Sequence, residues 1–225
     1  MEIIELSTQY AVWPIWAILL AVGGGIGAIA STVSIFSEPL AEDLNLAILG
    51  TQGAGKTTLW RAITQSKESV EPTIGSETIF EKKVTLNGIT RKIKQSIDIS
   101  GGPDKVREEY SNLITHKDFI IFVFNIEEFM KSKEYKEEVK IRLKVIGKYI
   151  KKEKLFHIIG SHVDKLTHSV NKRKKIKSKI IQNLGYSLLT EINCDVNENL
   201  ALMDLTNTEE LDDYIYCILF SKQKQ

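Results

Sequence analysis

Residues 50–57 read Gly50-Thr51-Gln52-Gly53-Ala54-Gly55-Lys56-Thr57, with an apolar run before them and a helical pattern after. The spacing is that of a phosphate-binding loop, G-x-x-x-x-G-K-[ST]. Each residue type has a physical reason to be there. Glycines let successive backbone N–H groups turn inward around phosphate oxygens. The helix that follows points its positive end at the same place. Lys56 is placed to reach the β- and γ-phosphates, and the Thr57 hydroxyl to hold Mg2+. The expected nucleotide contacts are Gly50, Gln52, Gly53, Ala54, Gly55, Lys56, Thr57 and Thr58, with Lys56 also acting on the transferred phosphate. Gln52 is expected to contact nucleotide without a catalytic role.

The surrounding pattern alternates strand and helix signals. "LNLAILG" reads as a short strand and "GKTTLWRAITQ" as a helix. "ETIFEKKVTLNG" and "TRKIKQSIDIS" have the period of strands, with Asn87-Gly88 as a hairpin turn between them. A helix is expected over 104–115, a buried strand at "DFIIFVFNI", and one long charged helix over 127–152. "LFHIIGS" is a further buried strand, "VNKRKKIKSKIIQNLG" a basic helix ending at Gly185, "NLALMDL" a last strand and "TEELDDYIYCILF" a last helix. Buried strands alternating with helices predict an α/β three-layer sandwich with a mostly parallel central sheet.

Two further stretches carry a resemblance. "PTIG" (Pro72–Gly75) lies after the first helix, and "DISGGPDKVR" (Asp98–Arg107) follows a strand. With the phosphate loop, these resemble the Ras-superfamily small GTPases, most of all the Arf-like branch, from about Asn45 to the C-terminus. The likeness implies GTP/GDP and Mg2+ as ligands. It implies that Thr73 closes over the γ-phosphate and Mg2+, that Asp98 holds the metal with Thr57 and Thr73, and that the Gly101 N–H meets the γ-phosphate. Lys56, Thr73 and Gly101 are then the catalytic set. Such contacts exist only with triphosphate, so both loops relax after hydrolysis.

Guanine reading in these families uses Asn-Lys-x-Asp after a buried strand. This chain has Ser161-His162-Val163-Asp164. Asp164 stands where a carboxylate accepts from the guanine N1–H and 2-amino groups. Ser161 replaces the amide, and His162 replaces the lysine, with a flat ring able to stack on the base. The last base-contacting loop is expected at Leu205-Thr206-Asn207, with Asn193-Cys194 as its rival. A second departure lies in the second switch. Many relatives place a glutamine after its glycine to orient the attacking water. Here Gly102 and Pro103 follow Gly101. Hydrolysis of GTP to GDP is therefore expected to be slow without a partner.

Ala11 to Phe36 contains no charged residue, and about 20 apolar residues span a bilayer as a helix. Tyr10, Trp13 and Trp16 flank one end, where aromatic rings favour the membrane interface. The start "MEIIEL" is acidic rather than basic, which favours a retained anchor over a cleaved signal. The expected organisation is a short extracytosolic 1–10, a transmembrane helix 11–36, a linker 37–44 and a nucleotide domain 45–225 on the cytosolic side. This order resembles the family of signal-recognition-particle receptor β subunits. Gly23 and Gly27 form a small-residue pair through which two helices could dimerise.

The chain of 225 residues has net charge +1, but residues 1–55 contain no Lys or Arg, so all 30 basic residues follow. Lys172–Lys179 reads "KRKKIKSK". Its cations form a solvated face or a contact for anionic lipid. No aromatic residues interleave, so nucleic acid is not an expected partner. Two separated cysteines make neither a disulfide framework nor a zinc site, as in a reducing compartment. The reading is a membrane-anchored GTP-binding switch that recruits a cytosolic effector. Its alternatives are a GTP-locked receptor or scaffold subunit and a P-loop ATPase.

Overall fold

A computed structural model describes residues 43–65, 76–79, 81–86, 88–94, 96–99 and 106–220, all within the unit 40–225. Four parallel strands form the central sheet: β1 (Leu46–Gly50), β6 (Phe119–Asn125), β7 (Leu155–Ser161) and β8 (Leu200–Leu202). They lie in the order β1-β6-β7-β8, with Gly50 opposite Val123, Asn125 opposite Ser161 and Leu202 opposite Gly160. Ile48, Leu49, Ile120, Ile121, Phe122 and Val123 are fully buried, as expected when helices cover both faces of a parallel sheet.

Successive strand residues point to opposite faces, and this divides the core in two. On one face Leu46, Ile48, Ile121 and Ile159 meet α1 (Lys56–Thr64) through Leu59, Trp60 and Ile63, and α7 (Thr208–Ile215) through Leu211 and Ile215. On the other, Leu49, Ile120, Phe122 and Phe156 meet α2 (Val106–His116) and α4 (Lys133–Tyr149). The basic helix α5 (Val170–Leu184) packs on that second face through Ile180 and Leu184. Its cations thus lie off the buried stripe.

Four further strands build two antiparallel pairs: β2 (Ser76–Ile79) with β5 (Ser96–Ile99), and β3 (Lys82–Leu86) with β4 (Ile89–Ile93). Both pairs share one register, so they are successive parts of one hairpin, closing at Leu86 opposite Ile89. Gly88, at φ 79°, takes the left-handed turn position that the Asn-Gly pattern predicts. Leu44 bridges in parallel to Ile93 with Leu44 N–H donating to Lys92 C=O at 2.8 Å, so the hairpin's second strand runs in the direction of β1.

Two expectations need correction, and one further helix is added. The long helix over 127–152 is two helices, α3 (Ile126–Lys131) and α4, because Ser132 is extended and its hydroxyl caps the second helix by accepting from Tyr135 N–H. A short helix α6 (Tyr186–Glu191) follows Gly185, which stops α5 at φ 85°. The single-pass membrane location is withdrawn. Among the described residues no helix is long and apolar enough to cross a membrane. The longest, α4, has 17 residues and carries charges throughout. The segments 1–10 and 11–36, with Gly23 and Gly27, lie outside the described residues.

Candidate functional site

Parallel strands deliver their following loops to one edge of the sheet, where open α/β sheets bind ligands. The loops after Gly50, Ser161 and Leu202 therefore gather at that edge. Asp98 is in β5 opposite Glu77, one residue before the end of the strand and on the same edge. Thr73, Gly101, Gly102 and Pro103 lie outside the described residues.

The phosphate loop is shaped by close backbone approach. A Cβ at Gly50 would stand 2.0 Å from the Val123 carbonyl oxygen, so the loop leaves β1 by pressing against β6. Gly55, at φ 89°, precedes α1 in the left-handed region, and a Cβ there would be 2.7 Å from Leu205 Cδ1. Helix α1 starts without a side-chain cap or an acidic residue in its first turn. The backbone N–H groups at its start and the Gly-made hollow suit an anion. Lys56 is buried, and its Nζ donates to the Thr51 carbonyl at 2.9 Å, so the ammonium lies across the loop. Thr57 and Thr58 are half-buried in the first turn, Ala54 is buried, and Gln52 and Gly53 are exposed at the rim. Among the described residues no group of three or more His, Cys, Asp or Glu could hold a metal ion.

Beneath the loop are side chains that its motif does not announce. The Tyr110 hydroxyl of α2 accepts from Gly50 N–H at 2.9 Å and donates to Gly50 C=O at 3.2 Å. Arg142 of α4, 2% exposed, donates to the same hydroxyl at 3.3 Å, and its Nε and Nη2 reach the Glu138 carboxylate at 3.0 and 2.7 Å. Burial raises the Tyr110 phenol above its usual range, so it remains a donor. The Tyr135 hydroxyl bonds the Thr51 hydroxyl and accepts from Asn125 N–H at 2.8 Å. Arg142 had one sequence signal: it interrupts the apolar stripe of Val139, Leu143 and Ile146, four residues after Glu138.

The base end is held by side chains. Ser161, fully buried, donates its hydroxyl proton to Phe124 C=O at 3.1 Å and lies 2.8 Å from His162 Nδ1. With that proton committed, Nδ1–H of His162 is the donor to Ser161. His162 takes φ 60°, which turns the chain into the short 3-10 turn Val163–Lys165 bearing Asp164. Asp164 is partly exposed, with Lys165 Nζ at 3.7 Å. Across the gap, Asp204 Oδ1 accepts from the Thr206 N–H at 2.8 Å and the Thr206 hydroxyl at 2.7 Å. Burial opposes ionisation of Asp204, but the Thr206 donors, with Arg173 and His162 nearby, hold its carboxyl below the usual value. Asn207 caps α7, and buried Leu205 packs on Gly55. Asn193 and Cys194, the rival loop, precede β8 and so lie toward the opposite end of that strand.

Comparison with known proteins bears on this geometry. The ADP-ribosylation factor family model matches residues 32–203. The chain is also similar to the tRNA modification GTPase MnmE of Vesicomyosocius okutanii subsp. Calyptogena okutanii (strain HA), 25% identical over 193 residues, covering 82% of this chain and 39% of that protein. A second MnmE, from Syntrophomonas wolfei subsp. wolfei (strain DSM 2245B / Goettingen), is 25% identical over 163 residues, 69% of this chain and 35% of the relative. The chain spans well under half the length of these curated relatives.

Proposed function

Because the chain belongs to the ADP-ribosylation factor family, we propose that it is a GTP-binding molecular switch that hydrolyses GTP slowly and engages a partner protein in its GTP state. The observation that carries the reading is the phosphate loop. Its glycines leave backbone where a Cβ would collide, its helix start is uncapped, and Lys56 lies across it. Lys56 and the α1 N–H groups would hold the phosphates and withdraw charge as the γ-phosphate leaves. Bound Mg2+ would supply further neutralisation of the phosphate oxygens, with Thr57, Asp98 and Thr73 as its protein ligands. Asp164 would accept from guanine, Ser161 and His162 would frame the base, and the Leu205–Thr206 backbone would cover its edge. The family and both named relatives concern GTPases, which supports guanine over the ATPase reading. Their tRNA modification is not carried over, since most of their length has no counterpart here. Pro72–Gly75 and Asp104–Arg107, which carry the resemblance to the Arf-like branch, support loops that respond to the γ-phosphate and a partner engaged in that state.

A second reading has its own observation. Gly102-Pro103 offers no side chain to orient water, which favours a GTP-locked receptor or scaffold subunit. Single-turnover hydrolysis decides between them. A switch gives slow turnover that a partner accelerates. GTP persisting with every partner favours the scaffold, and rapid intrinsic turnover contradicts both.

A further inference from the structure

Resting on the nucleotide-binding reading, we propose that Tyr110, supported by Arg142 and Glu138, is a positioning residue for the phosphate loop and ties helix α2 to it. Helix α2 has two side-chain pins to the body, and the one at Tyr110 is buried. At Tyr110 the phenol uses its donor and both acceptor sites at once, on Gly50 C=O, Gly50 N–H and Arg142. At the other end, Lys154 Nζ donates to the carbonyls of Ile114, Thr115 and Lys117 at 2.5, 2.8 and 2.7 Å, capping the helix C-terminus. Ile114 is fully buried between them.

The geometry has a functional consequence. Turning α2 at Tyr110 would strip the Gly50 N–H of its side-chain partner inside the core and leave the Gly50 carbonyl with Arg142 Nη1 at 3.5 Å, and unpaired polar groups are costly there. Gly50 is also where the loop leaves β1, pressed against Val123. The same hydroxyl therefore sets the loop's starting direction and stops α2 from turning. Arg142 holds the phenol in place, and Glu138 holds the guanidinium through two of its nitrogens.

Amide hydrogen exchange on the full chain tests this with GDP, GTPγS and no nucleotide. In the wild type, residues 111–116 should exchange identically in the GDP and GTPγS forms. In Tyr110→Phe, which keeps the ring, exchange in 111–116 should become nucleotide-dependent, and GDP should dissociate about tenfold faster, the ratio that corresponds to ~1.4 kcal/mol. Glu138→Gln, at a partly exposed position, should move both readouts the same way by a smaller factor, about threefold. A merely structural role would lower the melting temperature of Tyr110→Phe without making exchange depend on the nucleotide. That outcome overturns the proposal, as does nucleotide-dependent exchange of 111–116 in the wild type. The nucleotide-free samples separate the two claims. Faster loop exchange at 50–55 in Tyr110→Phe, with no nucleotide bound by either protein, supports the positioning role and refutes the GTP reading alone.

Discussion

The phosphate end and the base end of the candidate site are built by different means. At the phosphate end the backbone is the working surface. Gly50 and Gly55 are required because neighbouring atoms occupy the space of a side chain, and the buried hydroxyl of Tyr110 and the half-buried one of Tyr135 hold Gly50 and Thr51. At the base end the working groups are side chains on short turns: Ser161 and His162 bonded to each other, and Thr206 to Asp204. Backbone surfaces tolerate little change, because each atom is fixed by packing on two sides. Side-chain surfaces accept any residue that makes the same hydrogen bond. The chain accordingly keeps the full phosphate pattern but reads SHVD where its resemblance to the small GTPases predicts Asn-Lys-x-Asp.

Substitutions can break this comparison. Lys56→Ala should lower GTP and GDP affinity on the order of 100-fold or more in a fluorescent-nucleotide titration, since it removes the charge facing the phosphates. An effect below threefold would mean that the loop binds without it. Gly50→Ala should cost about 3 kcal/mol of stability or more, because its Cβ falls 2.0 Å from the Val123 carbonyl. Denaturant unfolding measures it; a neutral result would show that β1 and β6 can part without loss.

A pH titration sets a baseline for both ends. His157 of β7 stacks on Phe119 with centroids 5.3 Å apart, and burial pushes it down to about 4. The unfolded chain takes up this proton from about pH 6.5 downward, and the folded chain does so only near pH 4. Its stability contribution is therefore intact above pH 6.5 and falls by up to roughly 3 kcal/mol as the pH drops to 4. His157→Phe should flatten that part of the slope, with the phosphate and base ends affected equally. A smaller effect belongs to Asp164→Ala. It should reduce discrimination of GTP from ATP by about tenfold or somewhat more while leaving phosphate affinity in place, the loss of one charged hydrogen-bond acceptor. Smallest is Thr206→Val, which removes the hydroxyl donor to the Asp204 carboxylate, keeps the N–H donor, and should cost about 1 kcal/mol. Equal losses of GTP and ATP in either base-end variant would mean that these loops hold the fold rather than read the base.

The same contrast explains what could be read before any coordinates. The strand runs, the Asn87-Gly88 turn and the mostly parallel sheet were legible, because period and turn chemistry are local. The break at Ser132 was not, since a serine inside a charged helical pattern discloses a cap only once Tyr135 N–H is seen to meet it. Tyr110 was hidden for a different reason. Its partner Gly50 is sixty positions away, and nothing near either residue marks the pair. Arg142 could have been flagged as a charge on an apolar stripe, but its target could not. The uncharged segment 11–36 shows the limit of composition as a guide. It led to a membrane location that the described helices do not support.

The account's central claim is that both ends together bind a guanine nucleotide. Competitive titration of the full chain with Mg2+ tests it most directly, using GTP, GDP and ATP against a fluorescent GTP analogue. GTP and GDP should displace the analogue at comparable low concentrations, with ATP requiring at least tenfold more. Equal displacement by ATP and GTP, or no binding of the analogue, would contradict the account.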